Sequence, residues 1–587
     1  MEIKRLFDIL PYYETSFKPK EDVLAGKEDG EWVKYDIKTI RELTDSISHG
    51  LLKLGVKKGD KIATISPNRP EWNILDMAIL QIGAIHVPIY PTISENDYRF
   101  ILKHSEVKYI FISGRELFRK IEHIVPDVPN IKGVYTFKDF AAVPHLQQLI
   151  DLGKKNAEPE ILEKIKAGIQ PDEVATIIYT SGTTGNPKGV MLSHENILSN
   201  VMNLYHVFPV DETSRVVSYL PLCHVYERTN IYILLYLGVS IYYAENMATI
   251  AQNIQEIKPH ILTTVPRLLE KVYDKILAKG RNLKPIPRWL FFKAVALGDQ
   301  FEYGIKNPAF HAKRKIFDKL IYVKWREALG GNMRVIVSGG AAIQPRLIKV
   351  FNTAGIPLLE GYGMTETSPV IAVNTFNPGE SKVGTVGVPL KNLQVKTSEQ
   401  GEILVKGNSV MAGYFKNPEL TKETVTNGWM HTGDRGVIDE NGLLKITGRV
   451  KEIFKTSMGK YISPQLIENK FKESPFIDQM IVIGENQKFA AALIVPDFEY
   501  LKNWCGEKDI AFSDNISAIL QKEIIARFKK EVNTYNQHFG DTEKIKRFEL
   551  LDHEWTIETG EITANLKLKR AYIHKKYAAT INHIFKN

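Results

Sequence analysis

VATIIYTSGTTGNPKGV, residues 174–190, reads as an apolar strand that runs straight into a loop of glycines, hydroxyls and a lysine. In the loop, Thr180, Ser181, Thr183 and Thr184 surround Gly182 and Gly185, and Lys188 and Gly189 follow. Small residues let successive backbone amides approach phosphate oxygens, while the hydroxyls and the lysine add donors and charge. The stretch therefore predicts an anion site at the end of a buried strand. It is not the loop of the P-loop nucleotide hydrolases, because Gly189 follows Lys188 where Ser or Thr is required and Pro187 interrupts the cradle. Nor does its glycine spacing fit the dinucleotide fingerprint. The plain alternative is a flexible turn after a core strand.

Outward from this stretch the same pattern repeats. Short apolar runs stand at 86–90 (HVPIY), 109–113 (YIFIS), 215–220 (RVVSYL), 260–265 (HILTTV) and 333–338 (MRVIVS), many separated by helical stretches such as 71–84. The alternation predicts a large α/β body with substantially buried sheets. After Pro389 the texture changes: 393–407 and 436–449 read as hairpins, the second turning at Asn441–Gly442, so a small twisted β-rich unit is expected there. A further hairpin at 481–495 and helix-like stretches such as 516–539 predict a compact, mobile α+β domain at the C-terminal end. The expected division is 1–449 and 450–587.

Bulk properties narrow the class without deciding it. The chain has 587 residues, 44% of them hydrophobic, which is ample for more than one core. Its 77 basic and 68 acidic side chains give a net charge of +9, favouring encounters with nucleotides, anionic thiols or an anionic membrane surface. The basic runs KKGDK (57–61) and HAKRKIFDKL (311–320) read as solvated surface in preference to a partner site, and no recognition motif accompanies them, so no nucleic-acid partner is expected. Cys223 and Cys505 form no ligand pattern, which suits a reducing, cytoplasmic compartment. The run 229–244 is short for a membrane span and reads as a buried helix feeding a strand. Ile3, Leu6, Phe7 and Leu10 could share one helical face, either docked on the core or touching the inner face of a membrane. Oligomeric state is left open between monomer and homo-oligomer.

Several further segments complete a constellation. PLCHVYE (221–227), SGGAAI (338–343), GYGMTET (361–367), WMHTGDRG (429–436), TGRVKEIFKTSMGKYISP (447–464) and LKLKR (566–570) follow the loop in order. Together they resemble the motifs of the adenylate-forming, or AMP-binding, superfamily over roughly residues 40–575, and the length and the ETGEITANLKLKR ending resemble its long-chain fatty-acyl-CoA synthetases. The resemblance implies that Glu366 binds magnesium, a hard-oxygen role suited to an ion shared with ATP phosphates, and that Thr365 contacts phosphate. It implies that Tyr362 packs against adenine, with Gly340, Ala341 and Ala342 leaving room for the base, and that Asp434 accepts from the ribose hydroxyls. Arg449 is implied at the nucleotide and the interdomain edge, and His224 beside the acid or as a satisfied core group. Lys567 is implied as the catalytic lysine, with Lys569 as its competitor. Leu566 stands where the more widespread form of that motif has glycine. Lys451 is implied as the hinge, and Gly459 as a backbone position that lets pantetheine pass.

The chemistry so implied is ATP-dependent: a carboxylate attacks the α-phosphorus to give an acyl-adenylate and pyrophosphate, then the coenzyme A thiol displaces AMP. A medium- or long-chain fatty acid is the expected substrate. The apolar run 231–243 is expected either to line its tunnel or to form core. Aryl or branched-chain acids, an acyl-carrier-protein acceptor, and a non-catalytic nucleotide-binding module are the alternatives.

Overall fold

The computed structural model describes residues 2–140, 143–180, 186–556, 558–563 and 568–586. Ser181, Gly182, Thr183, Thr184, Gly185, Leu566 and Lys567 lie outside the described residues.

The apolar runs became the middle of two large sheets. In one of seven strands, the order is Gly413–Tyr414, Lys188–Ser193, Val174–Thr180, Ile85–Ile89, Lys61–Ile65, Val107–Ile112 and Gly133–Thr136, parallel except where Lys188–Ser193 turns back on both its neighbours. In the other, of nine strands, Leu358–Gly363, Val335–Ser338, Ile261–Thr264, Arg215–Ser218, Ser240–Tyr243 and Leu24–Glu28 form a parallel centre. Strands buried on both faces must be apolar throughout, which is why these runs show no alternation. The run 229–244 is the buried helix Val225–Tyr236 feeding the strand Ser240–Tyr243. Leu6, Phe7 and Leu10 are buried, so the amino-terminal apolar face packs on the core.

The two sheets are pinned by a polar cluster that the apolar pattern does not announce. Arg228, fully buried on the helix Val225–Tyr236, donates to Asp76 Oδ1 at 2.5 Å and to Thr176 Oγ1 at 2.7 Å. His86 bridges Asp76 Oδ1 at 2.7 Å and Thr64 Oγ1 at 2.8 Å. Burial opposes the Asp76 charge, yet the Arg228 cation and the His86 hydrogen bond hold its carboxyl below the usual range. The helix that His224 caps is thereby tied to the strand that delivers the glycine-rich loop. Removing one member of a buried pair leaves the other charge uncompensated, so Arg228→Met is expected to destabilise the fold by about 3–5 kcal/mol. Chemical denaturation reads this loss, and Asp76→Asn added to Arg228→Met is expected to recover part of it.

The β-rich unit is a five-stranded sheet in which Leu393–Thr397 pairs with Glu402–Gly407, and Trp429–Ile438 pairs with Leu444–Arg449, as the two hairpin patterns predict. The C-terminal part has its own core, with Phe471, Met480, Ile494, Phe528 and Trp555 buried around the sheet Ile477–Ile483, Ala490–Pro496 and Ile545–Leu550. Its stretch 516–539 is two helices, Asn515–Ile519 and Lys522–Asn536, because the chain turns extended at Gln521 and leaves Leu520 in solvent. The chain is thus a large α/β body with a β-rich subdomain and a smaller α+β domain. Arg267 of the body forms an ion pair with Asp478 of the smaller part, and Gln344 Nε2 donates to the Lys472 carbonyl at 3.2 Å.

Candidate active site

Ligand sites in α/β sheets form beyond the carboxyl ends of parallel strands, where loops diverge. Here Val335–Ser338 ends in Gly339–Ala342 and Leu358–Gly363 ends in Met364–Glu366, and both loops open into one cavity of about 2290 Å³. Its wall includes Thr180, Lys188, His224, Gly340, Ala341, Ala342, Tyr362, Thr365, Glu366, Asp434, Arg449 and Lys451. Residues scattered over 272 positions of sequence are therefore brought to one place.

The glycine-rich loop connects two antiparallel strands whose last pair is Thr180 with Lys188. That register fixes both loop ends at the cavity. Lys188 Nζ lies 5.5 Å from the Tyr414 ring centroid. Gly340 sits at φ 80°, in the left-handed region that favours glycine, and a Cβ on Gly339 would stand 3.1 Å from the Tyr226 ring.

Asp434 and Arg449 face each other across the hairpin, and Arg449 Nε donates to Asp434 Oδ1 at 3.0 Å. The Tyr362 hydroxyl donates to Asp434 Oδ2 at 2.8 Å. Burial, with the Asp434 carboxylate beside it, pushes the Tyr362 phenol well above its ordinary value, so it remains a neutral donor. Each carboxylate oxygen thus has one partner, and an ionised carboxylate offers about four acceptor sites. Two are left over, the number a pair of vicinal hydroxyls needs.

Glu366 is buried, and its Oε1 accepts from the Tyr414 hydroxyl at 2.8 Å. Its own carbonyl accepts from the Met411 amide at 2.9 Å, fixing the backbone below the side chain. Among the described residues no group of three or more His, Cys, Asp or Glu could hold a metal. A cation here would be held by one carboxylate together with ligand oxygens and water, the arrangement magnesium tolerates. The donor set therefore fits.

His224 caps the helix Val225–Tyr236, its Nδ1 accepting from the Tyr226 amide at 3.1 Å, and its ring meets Tyr90 edge-on at 6.5 Å. Gly459, at φ 79° in the turn from Thr456 to Lys460, stands apart from this wall. Ile562, Thr563, Leu568 and Lys569, by contrast, flank the Lys567 segment and all line the cavity. A bridge between Ile562 and Leu568 and the Lys569 amide donating to the Glu561 carbonyl at 2.7 Å hold the ends of that segment together. Arg570 anchors it further, donating to Glu452 at 2.9 Å and to Glu468 at 2.9 Å.

Sequence reasoning missed Glu360 and Tyr414. Glu360 lies just before GYGMTET, is buried in the cavity wall and accepts from the Ile343 amide at 3.2 Å. Burial pushes its carboxyl up to about 8, the amide hydrogen bond opposing. A folded-state value above the ordinary 4.5 means that the folded protein holds a proton the unfolded chain releases. This contribution to stability is complete below pH 4.5 and is lost as pH rises through about 8. Glu360→Gln, which cannot ionise, is expected to flatten that decline; melting temperatures of both proteins across the window check it, and parallel curves would contradict it.

The run 231–243 is core, not cavity wall, among the described residues. The apolar part of the wall includes Leu204, Val207, Phe208, Val337, Val373 and Val386 instead.

Residues 15–415 match the family described as AMP-binding enzyme, and residues 451–587 match the AMP-binding enzyme C-terminal domain. The long-chain-fatty-acid–CoA ligase FadD15 of Mycobacterium bovis is 33% identical over 95% of this chain and 93% of its own. Fatty acyl-CoA synthetase A of Dictyostelium discoideum is 30% identical over 97% of this chain and 89% of its own. Among solved structures, the adenylation domain of a carboxylate reductase from Mycobacterium chelonae superposes with a TM-score of 0.78 at 19% identity, covering 99% of this chain and 91% of that one. The o-succinylbenzoate CoA synthetase of Bacillus subtilis, solved with its acyl-adenylate intermediate, superposes with a TM-score of 0.69 at 20% identity, covering 96% and 97%. The two structural likenesses speak for the fold, and the family matches with the two relatives speak for the lineage: the chain belongs to the AMP-binding superfamily and is an adenylate-forming, acid-activating enzyme related to the fatty-acyl-CoA synthetases.

Proposed function

We propose that the protein activates a medium- or long-chain fatty acid as its acyl-adenylate and passes the acyl group to coenzyme A, releasing AMP and pyrophosphate. The observation that carries this reading is the shared cavity, in which the Tyr362–Asp434–Arg449 cluster and Glu366 stand in one wall with the apolar side chains of Leu204, Val207 and Phe208. In this reading Asp434 takes the ribose hydroxyls, Tyr362 lies against adenine beside Gly340, Ala341 and Ala342, and Thr365 and Lys188 contact phosphate oxygens. The hydroxyls and amides from Thr180 to Gly185 receive the leaving pyrophosphate. Glu366 would hold Mg²⁺, whose charge offsets that of the phosphates when it is bound. His224 and the residues around it orient the carboxylate toward the α-phosphorus, and holding both reactants in line removes much of the entropic barrier.

Lys567 bridges the incoming carboxylate and the phosphoryl oxygens in the first half-reaction. Lys451 then serves as the pivot about which the smaller domain turns, bringing Gly459 to the cavity for the thiol. The position of the Lys567 flanks at the cavity, with Gly459 outside it, supports assigning the present arrangement to the first half-reaction. An apolar acyl chain gains roughly 0.8 kcal/mol for each methylene withdrawn from water, so the apolar wall favours long acids. The relatives named as long-chain-fatty-acid–CoA ligase and fatty acyl-CoA synthetase support the same substrate class.

A panel of aliphatic, branched and aromatic acids, each offered with ATP, Mg²⁺ and either coenzyme A or an acyl-carrier protein, tests the reading. AMP release and thioester formation should be greatest with medium or long aliphatic acids and coenzyme A. Preference for an aromatic acid, or for the carrier protein, would replace the substrate assignment.

A further inference from the structure

The region from Lys279 to Lys324 contains the helices Pro285–Leu297 and Pro308–Phe317 and the π-helical continuation Asp318–Tyr322. The first two pack against each other, and Phe291, Ala294, Leu297, Phe310, Ile321 and Tyr322 are buried, so their inner faces are already satisfied. The outer faces nevertheless carry large apolar side chains at helical spacing. Ile286 is 74% and Trp289 60% exposed on the first helix, and Ile316 is 60% and Leu320 52% exposed on the second helix and its continuation. The two exposed pairs stand on helices that pack together, and exposed apolar groups gathered on one element, rather than scattered singly, mark an interaction surface.

Charge singles out the same region. Residues 279–324 contain eleven lysines and arginines against three carboxylates, a surplus of eight in a chain whose whole surplus is nine. Two of those carboxylates are engaged elsewhere, Asp318 with Arg326 at 2.6 Å and Glu302 with Lys349 at 2.7 Å. Lys284 at the start of the first helix, Arg288 and Lys293 on it, and Lys313, Lys315 and Lys319 on the second helix and its continuation, are all exposed. Lys293 Nζ lies 5.8 Å from the Trp289 ring centroid, cation and indole side by side.

We propose that this face docks the protein on the surface of an anionic phospholipid bilayer. Exposed lysines and arginines meet the lipid phosphates while Ile286, Trp289, Ile316 and Leu320 enter the boundary between headgroups and acyl chains, the division of labour of an interfacial helix. A nucleic acid would reward the charge but give aliphatic crests nothing to bury against. Docking is peripheral: no helix among the described residues is long and apolar enough to cross a membrane. On the reaction proposed above, a docked enzyme draws its acid from the bilayer, where apolar acids partition, but the docking itself does not depend on that reaction.

The test is co-sedimentation of the full chain with vesicles of phosphatidylcholine alone and of phosphatidylcholine doped with phosphatidylglycerol, at low and high salt. Binding is expected to the anionic vesicles only, and to fall with salt. The combined variant Lys284→Glu, Arg288→Glu, Lys313→Glu, Lys319→Glu should bind roughly a hundredfold or more weakly. The variant Ile286→Ser, Trp289→Ser should also lose binding, with ATP hydrolysis or exchange on a water-soluble acid retained as the check of folding. Quenching of tryptophan emission by brominated lipid, expected in the parent and reduced in single Trp289→Ser, covers the case in which a multiple variant does not fold. The proposal is overturned by absence of binding to anionic vesicles, by equal binding to neutral ones, or by variants that bind as the parent does. It is equally overturned if light scattering shows a dimer that Trp289→Ser dissolves, or if the same variants lose affinity for an RNA homopolymer while the parent ignores vesicles.

Discussion

Lys567→Ala is expected to lower acid-dependent adenylation on the order of 10²–10³-fold, the usual consequence of removing one positioned donor from a centre of developing negative charge. The carboxylate and the α-phosphate are both anionic, so their approach is opposed until a cation stands between them. Ile562, Thr563, Leu568 and Lys569, on either side of the Lys567 segment, line the cavity, and Ile562 is bridged to Leu568. Attack of coenzyme A on acyl-adenylate supplied from outside should be nearly unaffected, because on the proposed domain turn Lys567 serves only the first half-reaction. Rapid-quench measurement of the two half-reactions separates them. Equal loss in both, or loss only in Lys569→Ala, would move the role away from Lys567.

Glu366→Gln carries the second large effect. The amide keeps the shape and can still accept from Tyr414, whose hydroxyl lies 2.8 Å from Glu366 Oε1, so the fold around it should persist. What disappears is the negative charge that a divalent cation requires of this wall. The rate at limiting magnesium is expected to fall at least ~100-fold, more than is typical for disturbing a group that merely orients a metal ligand. Raising magnesium should restore part of the rate, and the concentration giving half the maximal rate should rise. A variant whose magnesium dependence matches the parent's would remove Glu366 from the metal's coordination.

The α/β architecture was legible because a sheet covered on both faces admits only apolar strands, and runs such as VATIIYT and MRVIVS have no polar alternation to mislead. The two late hairpins were legible from their polar turns, Asn441–Gly442 among them. Strand order was not, since every apolar run satisfies burial equally well beside any other. At the site, Asp434 and Arg449 could be named from their motifs, but their register across one hairpin, and the Tyr362 hydroxyl that joins them, exist only in the fold. Glu360 was missed because a glutamate beside a glycine reads as solvated; its burial depends on an amide from Ile343, in a different loop. Tyr414 reaches Glu366 from 48 residues away. Arg228 had a fainter signal, a charged pair Glu227–Arg228 at the head of an otherwise uncharged run, which is costly unless each charge finds a partner. Glu227 finds Ser218 and Thr263, at 2.5 and 2.9 Å.

Exchange of labelled pyrophosphate into ATP, followed with and without a fatty acid and in the absence of any thiol, examines the central claim most directly. Convergence of Glu366, Asp434 and the residues flanking the Lys567 segment on one cavity predicts exchange that needs both the acid and magnesium and vanishes in Lys567→Ala. A folded, ATP-binding protein that shows no exchange with any acid offered would contradict it.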